Sequence, residues 1–480
     1  MRRGEFPVDA LPAWCLLNDV TFVDVKVADI EGRGLGLVAE RDLVNEEDHY
    51  EVPTLLAIPK ELVLSAEGVE EYAKENKDFR QLLDAAGHQS TRGDILLFLL
   101  TQLVRSSPDY TGGQGAMTPW TQYFSLLPTQ VPVPTMWSES ELSHLRGTSL
   151  ESAVSAKFAV LTKEFDAIRE KTSEILYWDE ILAVDGAVTV RDWVLLDALY
   201  RSRSLDLPKS GESMVPCLDL VNHSSSATAY FEENSKDEVV LLLKKGCGVP
   251  QSSEITISYG QDKSAAEMLF SYGFIDTNSP AKSIVLPLEP MDDDPLAKAK
   301  LHAFGKPPVL EIKDDDSGVP QWSAPFVYLM CLNEEDGLEF KILQATDGSR
   351  RLSMFWQETD ITDEPYAIPE LIGSHELAQI FKLRAVTVIL EVVQQQLQEL
   401  SPGEERSDAI PGLARAEVLQ AASHLRAVES DLLKRALQVL DEQRTQLLAD
   451  DSVLAYLGSM EATNSDQIVP EASNGNEDLS

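Results

Sequence analysis

Cysteine is scarce in this sequence, and the cysteines that occur are far apart. Cys15, Cys217, Cys247 and Cys331 include no CxxC pair, which excludes a zinc cluster built on cysteine spacing and argues against a disulfide framework. Long apolar runs are missing too, because runs such as residues 95–100 are far shorter than the roughly 20 residues that cross a bilayer. Residues 1–17 have no sustained apolar core, so we expect no secretory leader. These absences predict a cytoplasmic or nuclear protein without a membrane partner or a bound metal.

Basic residues are also few for a chain of this size. Lysine and arginine number 40 against 80 aspartates and glutamates, which gives a formal net charge of −40 over 480 residues. Such a charge repels the phosphates of nucleic acids and attracts basic protein segments. Alternatively, it only keeps the protein soluble. We therefore expect no nucleic-acid partner, and the length favours two domains.

Hydrophobic periodicity predicts strands on both sides of a helical insertion, followed by long helices. Apolar runs and alternations typical of strands occur at residues 21–27, 37–39, 238–243, 254–258 and 283–287. Apolar residues at three- and four-residue steps, typical of amphipathic helices, occur at residues 94–105, 150–168, 376–400 and 414–448. The predicted fold class is α+β, with a β domain at 1–290, its helical insertion at about 60–190, a mostly α-helical domain at 291–460 and a disordered acidic tail at 461–480.

Three segments contain residues suited to binding or chemistry. The first, EGRGLGL at residues 31–37, is a glycine-rich turn whose backbone N–H groups can approach a ligand closely. It lacks the GxGxxG spacing and precedes a strand-like stretch, which excludes a dinucleotide-binding fold. The second is PCLDLVNHS at residues 216–224, and the third is EITISYG at residues 254–260, followed by LFSYGF at residues 269–274. Taken singly, each also fits an ordinary hairpin, an Asx turn or aromatic packing.

In this order the segments resemble the SET-domain methyltransferases, in the branch typified by the Rubisco large-subunit lysine methyltransferase. The matching motifs are GRGLG, SRS at residues 202–204, DLVNHS, ITISYG and SYGF, over about residues 25–276. The RAVE sequence at residues 426–429 also resembles an arginine–glutamate pattern in the helical substrate-binding domain of that branch. The resemblance implies a SET β fold with a threaded pseudoknot, S-adenosyl-L-methionine as the cofactor, and methyl transfer to a lysine of a non-histone protein.

The resemblance also implies roles for individual residues. Tyr259 would be the catalytic residue, whose hydroxyl orients the amine and the methyl group and assists deprotonation. Tyr272 and Phe274 would form the wall of the lysine channel. The residues implied for the cofactor site are Glu31, Gly32, Arg33, Gly34, Leu35, Arg203, Asp219, Asn222 and His223, with Asp219 expected to orient the last two.

The sequence departs from the family pattern at one turn and leaves one arginine ambiguous. Gln251-Ser252-Ser253 stands where a glycine is usual, which puts the geometry of that turn in question. Arg201 and Arg203 compete for the role of the cofactor-contacting arginine, although the SRS pattern favours Arg203. Ser202 is either a cofactor contact or a hydroxyl at a helix end.

The substrate and the activity itself stay open at this point. A protein with a lysine-bearing basic segment suits the negative charge, and the helices of the second domain are expected to select it. The same fold methylates histidine in one branch of the family, and imidazole is neutral near pH 7 and needs little deprotonation. A catalytically silent scaffold is the other alternative, although Tyr259, Asn222, His223, Gly34 and Arg203 are all present. The sequence does not give the oligomeric state.

Overall fold

A computed structural model divides the chain into two compact units. It describes residues 1–2, 4–46, 52–109, 118–279, 281–291, 293–344, 350–401 and 414–466. Unit 1 comprises residues 1–145, 150–281 and 409–425, and unit 2 comprises residues 146–149, 282–408 and 426–480. Each unit has a hydrophobic core of its own. The predicted α+β class is confirmed.

Unit 1 combines short strands with a run of helices between them. Its strands are β1 (Thr21–Phe22), β2 (Val25–Ile30), β3 (Gly34–Ala39), β4 (Leu43–Val44), β5 (Thr54–Ile58), β6 (Ser204–Leu207), β7 (Gly211–Met214), β8 (Ala229–Glu233), β9 (Val239–Leu243), β10 (Gly248–Val249) and β11 (Glu254–Ile255). Its helices are α1 (Leu11–Leu17), α2 (Ala66–Glu75), α3 (Lys77–Ala86), α4 (Thr91–Ser106), α5 (Pro119–Phe124), α6 (Glu139–Leu142), α7 (Ser149–Thr172, its first residue counted with unit 2), α8 (Leu176–Leu182), α9 (Val190–Arg203) and α10 (Ala265–Tyr272).

The strands of unit 1 pair antiparallel in small sheets. The sheet orders are β1-β5-β9-β8, β11-β3-β2, β10-β4 and β6-β7. Every side chain of β9, with the sequence VVLLL, is buried, as the continuous apolar run of an inner strand predicts. Strands β2 and β3 form a hairpin in which Ile30 pairs with Gly34. The glycine-rich segment therefore lies at the tip of this hairpin.

The helical insertion is built around α4. Residues Ile95 to Val104 of this helix are all buried, and a helix that is apolar on every face is buried on every face. Phe98 on α4 makes edge-to-face contacts with Phe79 and Trp120, whose ring centroids each lie 6.0 Å away. These rings fix the helical layer on which α9 rests, and α9 ends at Arg203 in the cavity described below.

Unit 2 is mostly α-helical, as the sequence predicts, and it also contains two three-stranded sheets. Its strands are β12 (Ser283–Pro287), β13 (Val309–Asp314), β14 (Pro320–Ser323), β15 (Leu338–Gln344), β16 (Arg350–Trp356) and β17 (Thr359–Asp360), in the sheet orders β12-β13-β14 and β15-β16-β17. Its helices are α11 (Ala297–Phe304), α12 (Pro325–Cys331), α13 (Ile368–Gly373), α14 (Ala378–Leu400), α15 (Ala416–Leu448, its residues up to Leu425 counted with unit 1) and α16 (Asp451–Asp466). Strand β13 alternates buried and exposed side chains, a period-two signal that the surrounding prolines and acidic turns interrupt.

The first part of α15 packs within unit 1. Val418, Ala422 and Leu425 are almost fully buried, and they lie on one face because they recur at three- and four-residue steps. Their apolar partners in unit 1 are Trp137, Leu145, Leu150, Val154 and Leu269. A domain boundary at residue 290 therefore assigns these helical residues to the wrong unit.

The described residues contain no helix that is long and apolar enough to cross a membrane. Helix α16 extends to Asp466, so the predicted acidic tail begins in a helix. The remainder of that tail, residues 467–480, lies outside the described residues.

Candidate active site

The motifs singled out in the sequence meet around a cavity of about 1040 Å³ in unit 1. Its walls come from the β2–β3 turn, the end of α9, the segments 219–225 and 272–278, and Tyr259. The proposed site residues that line it are Gly32, Arg33, Gly34, Leu35, Arg203, Asp219, Asn222, His223, Tyr259, Tyr272 and Phe274. Residues more than 200 positions apart in the sequence thus share one site.

The glycine turn forms an open edge of this cavity. Gly32 and Gly34 have φ angles of +73° and +76°, and nothing lies within 4 Å of the position of a Cβ at either residue. Left-handed backbone favours glycine, and the missing side chains leave room for a ligand. Glu31 is exposed in this turn, and the described lining contains its neighbours Asp29 and Gly32 instead.

A carboxylate ties the glycine turn to the second motif. Glu254, at the start of β11, pairs with the guanidinium of Arg33 and accepts a 2.8 Å hydrogen bond from Asn222 Nδ2. Asn222 Nδ2 also lies 3.3 Å from the Leu35 carbonyl oxygen. At Gly36, a Cβ would lie 2.8 Å from Asn222 Nδ2, so only glycine permits this approach. Arg33 and Asn222 therefore hold the two motifs together.

Arg203 is the arginine that enters the cavity. Its Nη1 donates to Asp219 Oδ2 at 2.9 Å and to the Asp219 carbonyl oxygen at 3.0 Å. The buried Tyr123 hydroxyl donates to the other carboxylate oxygen of Asp219 and accepts from the Cys217 N–H at 2.8 Å. Asp219 therefore orients Arg203 rather than the Asn222–His223 pair, which corrects the sequence expectation.

Arg201 and Ser202 take structural roles on α9. Arg201 Nε donates to Asp197 Oδ2 at 3.1 Å, and the described lining of the cavity includes Arg203 but not Arg201. Ser202 lines the cavity, yet its hydroxyl donates to the Ala198 carbonyl oxygen at 2.8 Å, one helical turn back. Of the two arginines, Arg203 is thus the one whose position in the described cavity lining fits the predicted role.

The second and third motifs are joined backbone to backbone. The Ile257 N–H donates to the Asn222 carbonyl oxygen, and the Ser224 N–H donates to the Ile257 carbonyl oxygen, both at 3.0 Å. Glu254 and Ile255 meanwhile pair with Val38 and Leu37 of β3. This joint corresponds to the pseudoknot that the resemblance implies. Ser252, in the turn before it, has a φ of +64°, so serine adopts there the backbone conformation that usually calls for glycine.

His223 fixes the backbone of Tyr259 through a hydrogen bond. Its Nδ1 accepts a 3.0 Å hydrogen bond from the Tyr259 backbone N–H, and its Nε2 lies 3.1 Å from Asp276 Oδ2. The first contact requires an unprotonated Nδ1, so the proton is on Nε2 and is donated to Asp276. Burial opposes ionisation of Asp276, but hydrogen bonds from the Asn278 N–H and from His223 outweigh it and lower the pKa of that carboxyl. His223 thus positions the backbone of Tyr259.

Tyr259 lies at the centre of a group of aromatic rings. Its hydroxyl donates to the Val221 carbonyl oxygen at 2.8 Å, and its ring centroid is 4.6 Å from that of Tyr272 and 6.4 Å from that of Phe274. Burial raises the pKa of Tyr259 above its ordinary value, against the opposing charge of Arg203. The hydroxyl is therefore neutral near pH 7, with its hydrogen committed and its lone pairs available.

The ends of α10 determine the positions of Tyr272 and Phe274, which together form the aromatic wall of the cavity. Ser264 Oγ accepts a hydrogen bond from the Glu267 N–H at 3.2 Å, and the Glu267 carboxylate accepts one from the Ser264 N–H at 2.7 Å, which is a capping box. The helix ends at Gly273, whose φ is +83°. Tyr272 and Phe274 flank this stop and both face the cavity.

Several residues that line the cavity, or that hold its lining residues in place, were not identified from the sequence. Glu254 and Asp276 were missed because the signal for a carboxylate is its partner, and their partners lie in other segments of the chain. Other lining residues are Leu126 to Pro128, Gln130 to Pro132, Ile275 to Asn278, and Glu417, Gln420, Ala421 and His424 on the first turns of α15. In the described part of the chain, no group of three or more potential ligands could hold a metal ion.

Comparison with known proteins identifies relatives of this chain. No protein-family model matches it. SET domain-containing protein 8 of Schizosaccharomyces pombe is 29% identical over 417 residues, which cover 84% of this chain and 89% of that protein. The chloroplastic Rubisco large-subunit N-methyltransferase of Pisum sativum is 27% identical, with 67% of this chain and 64% of the enzyme covered. The actin-histidine N-methyltransferase of Gallus gallus is 23% identical, with 70% of this chain and 54% of the enzyme covered.

A solved structure supports the same relationship at the level of the fold. The crystal structure of the SET domain of LSMT bound to lysine and AdoHcy matches with a TM-score of 0.66 and 21% identity, over 95% of this chain and 98% of that chain. The ordered motifs, their meeting at one cavity and the relatives agree. In sequence and in fold, the chain is therefore similar to the SET-domain proteins of the branch typified by the Rubisco large-subunit lysine methyltransferases.

Proposed function

We propose that this protein transfers a methyl group from S-adenosyl-L-methionine to a lysine side chain of another protein. The methyltransferase names of the relatives support methylation of a protein, and the AdoHcy bound in the similar LSMT structure supports S-adenosyl-L-methionine as the methyl donor. The observation that carries the proposal is the Tyr259 hydroxyl, fixed on the Val221 carbonyl where the cofactor motifs and the aromatic wall share one cavity.

The residues of the cavity fit this cofactor. Arg203 Nε is buried and has no hydrogen-bond partner among the described residues. A buried donor without a partner costs stability, which an anionic ligand can recover. Gly32 and Gly34, which line the same cavity, leave open space at their Cβ positions. A ligand with a carboxylate at one end and a bulkier body therefore matches both features.

The chain would hold the cofactor mainly through fixed donors. S-Adenosyl-L-methionine, when bound, supplies a methyl group on a positively charged sulfur. Arg203, fixed by Asp219, would bind the carboxylate, and the backbone of residues 32–35 with Asn222 would hold the remainder. The site need not stabilise a growing negative charge, because positive charge on sulfur is lost during transfer. Its contribution is alignment and exclusion of water.

The aromatic wall would prepare the acceptor amine. A lysine ammonium has a reference pKa of about 10.4 and no lone pair, so it must lose a proton before it reacts. The rings of Tyr259, Tyr272 and Phe274 provide an apolar surface, which disfavours the charged ammonium and lowers its pKa. The Tyr259 oxygen can accept a hydrogen bond from the neutral amine, since its own hydrogen is donated to Val221.

Tyr259 would position the amine rather than act as a base. Burial raises its pKa, so the phenolate is scarce near neutral pH. This argument removes the assistance with deprotonation that the resemblance implied. The hydroxyl retains its orienting role.

Histidine is the second candidate acceptor. Its support is the 23% identity to an actin-histidine N-methyltransferase. A neutral imidazole would need no apolar wall to lose a proton, whereas the ring cluster around Tyr259 suits an amine that does. This difference favours lysine.

Labelled methyl transfer tests the function directly. Purified protein and labelled S-adenosyl-L-methionine would be added to a lysate of cells that lack this enzyme, and mass spectrometry would identify the modified residue. We expect methyl-lysine in a protein. Methyl-histidine would support the second candidate, and cofactor binding without any transfer would support a silent scaffold.

A further inference from the structure

A buried carboxylate links three helices of the insertion. Asp197 on α9 is fully buried and pairs with Arg92 Nη2 of α4 at 2.6 Å, Lys157 Nζ of α7 at 2.9 Å and Arg201 Nε of its own helix at 3.1 Å. Burial alone would raise the pKa of Asp197, but its cations, Arg201 foremost, lower it. Because three cations compensate for its burial, the ionised Asp197 carboxylate holds these side chains in fixed positions.

Arg201 extends from this anchor to two other segments. Its Nη2 donates to Thr135 Oγ1 at 2.8 Å, and its Nη1 donates to the Phe270 carbonyl oxygen in the last turn of α10. Its guanidinium carbon lies 4.4 Å from the centre of the Phe270 ring. The last carbonyl groups of a helix lack partners within the helix, and a cation there is favourable. Arg201 therefore caps α10 from outside.

The two segments that Arg201 joins both lead into the cavity wall. Thr135 lies three residues after Pro132, and Phe270 lies two residues before Tyr272. Pro132 and Tyr272 both line the cavity. The segments also touch each other, since a Cβ on Gly273 would lie 2.6 Å from Pro132 Cγ. One guanidinium thus fixes both sides of the contact that shapes the aromatic wall.

We propose that Arg201, anchored by Asp197, is a positioning residue that holds the end of α10, and with it Tyr272 and Phe274, against Tyr259. The catalytic part of this inference rests on the proposed function, whereas the structural part does not. Arg201 itself lies outside the described lining of the cavity. Arg201 would affect catalysis indirectly: it fixes the position of the aromatic wall, and the wall excludes water from the channel.

The experiment compares three variants with a matched control. Arg201→Met removes every donor and keeps an unbranched apolar side chain over Phe270. Arg201→Lys restores the charge beside Asp197 without the fork that reaches Thr135 and Phe270 together. Thr135→Val removes one acceptor and leaves the pair with Asp197 intact. Arg92→Gln is the control, because Arg92 pairs with the same carboxylate and with Glu164 but donates to neither Thr135 nor Phe270.

Hydrogen exchange at residues 265–276 is the first measurement. We expect exchange at residues 270–274, including the Gly273 N–H that bonds to the Leu269 carbonyl, to become at least about tenfold faster in Arg201→Met. Arg201→Lys should recover part of this protection, and Thr135→Val should show a smaller change. Arg92→Gln should leave these amides unchanged, whatever it does to overall stability.

Kinetics on the same preparations give the second measurement. In Arg201→Met we expect kcat to fall about 10- to 100-fold, as for a misplaced reacting group, with the Kd for S-adenosyl-L-methionine within about threefold. The pH profile of kcat should shift to higher pH, because a wetter channel lowers the pKa of the bound acceptor less. A merely structural role would move the melting temperature without this shift.

Unchanged exchange at residues 270–274 in Arg201→Met would overturn the inference, as would an equal change in Arg92→Gln. Normal kcat in a folded Arg201→Met protein would overturn its catalytic part. If Arg201→Met does not fold, Thr135→Val and Arg201→Lys decide by the same measurements. Failure of the wild type to methylate any protein would contradict the proposed function, and exchange would still decide the positioning of α10.

Discussion

Tyr259 shows how a single residue can be fixed from both sides. Its backbone N–H is bound by His223 Nδ1, and its hydroxyl by the Val221 carbonyl. The side chain therefore has little freedom, and its oxygen presents lone pairs in a fixed direction. Positioning of this kind reduces the entropy that a reaction must otherwise lose on the way to the transition state.

Replacement of Tyr259 by phenylalanine should separate catalysis from packing. The ring stays, so affinity for S-adenosyl-L-methionine should remain within a few-fold, and loss of the hydrogen bond to Val221 should cost about 1 kcal/mol of stability. Turnover should fall on the order of 10²-fold or more, the scale of a lost positioned group. Calorimetric cofactor titration, melting temperature and single-turnover methylation on one preparation measure all three quantities.

Tyr230→Phe is a suitable control, since Tyr230 pairs with Leu242 in the β8–β9 sheet and lies outside the described cavity lining. It should change neither turnover nor cofactor affinity. Near-normal turnover in Tyr259→Phe would remove Tyr259 from the centre of the mechanism.

The sequence identified residues with a local motif and missed those with a distant partner. Tyr259, Asn222 and Arg203 stand in short recognisable patterns. Asp276 has no such pattern, because its importance comes from His223, 53 positions away. Pairing between distant segments requires the fold, and spacing along the chain does not contain it.

Helix α10 is the element whose end has most effect on the site. Gly273 stops it in a left-handed conformation and packs against Pro132. Gly305 ends α11 in the same way, with a φ of +71°, but nothing lies within 4 Å of its Cβ position. The two glycines therefore share a backbone conformation and differ in their surroundings.

Substitution of each glycine by alanine should separate the cost of a left-handed backbone from the cost of a steric clash with Pro132. Gly305→Ala should cost about 1 kcal/mol for a left-handed alanine. Gly273→Ala should cost a further amount of about 1–3 kcal/mol, because Pro132 must move, and it should also lower methyl transfer by displacing Tyr272 and Phe274. Urea unfolding and initial rates measure both effects. Equal destabilisation by the two variants would show that Pro132 yields without cost.

The first residue of α7, Ser149, is capped by a side chain from another helix, Glu429, and both residues are counted with unit 2. Glu429 of α15 is almost fully buried and accepts hydrogen bonds from the N–H and hydroxyl of Ser149. Burial raises the pKa of Glu429 to about 7, although the Ser149 hydrogen bonds and Arg426 oppose the rise. The folded protein therefore holds this proton more tightly than the unfolded chain does.

This raised pKa predicts a loss of stability as pH increases. The folded state binds more protons than the unfolded state between pH 4.5, the ordinary value, and about 7, so the contribution is present below that window and is lost across it. Relative to Glu429→Gln, the wild type should lose on the order of 2–3 kcal/mol between pH 5 and pH 8. Urea midpoints across this range measure it, with Glu442→Gln, an exposed position on α15, as the control. Parallel pH profiles for wild type and Glu429→Gln would contradict the prediction.

Helices and strands with a strong hydrophobic periodicity were predicted well, whereas those with a weak periodicity were not. The predicted strand at residues 283–287 coincides with β12, and the helix at 376–400 differs from α14 by two residues. Strands β13 to β17 went unrecognised because many of their side chains are exposed and because turns interrupt them. Exposed strands bury too little apolar surface to leave a clear pattern.

The division of the whole molecule affects how its lobes can be tested. Deletion of everything after residue 281 would also remove residues 416–425, whose Val418, Ala422 and Leu425 complete a buried cluster of unit 1. Loss of cofactor binding in such a truncation would then report damage to unit 1. Point substitutions in unit 2 are the better test of whether it selects the substrate.

The charge of the whole molecule predicts how substrate binding responds to salt. A net charge of −40 attracts a basic protein over distances that are screened within about 8 Å at 0.15 M ionic strength. Between 50 and 300 mM salt, we expect KM for the methylated protein to rise several-fold and kcat to stay within about twofold, because long-range attraction affects encounter more than chemistry. Cofactor Kd in the same buffers is the internal control and should change less, since Arg203 and the glycine turn act at short range. A KM that is flat with salt would mean that the acidic surface contributes solubility alone, and that substrate selection depends on local contacts.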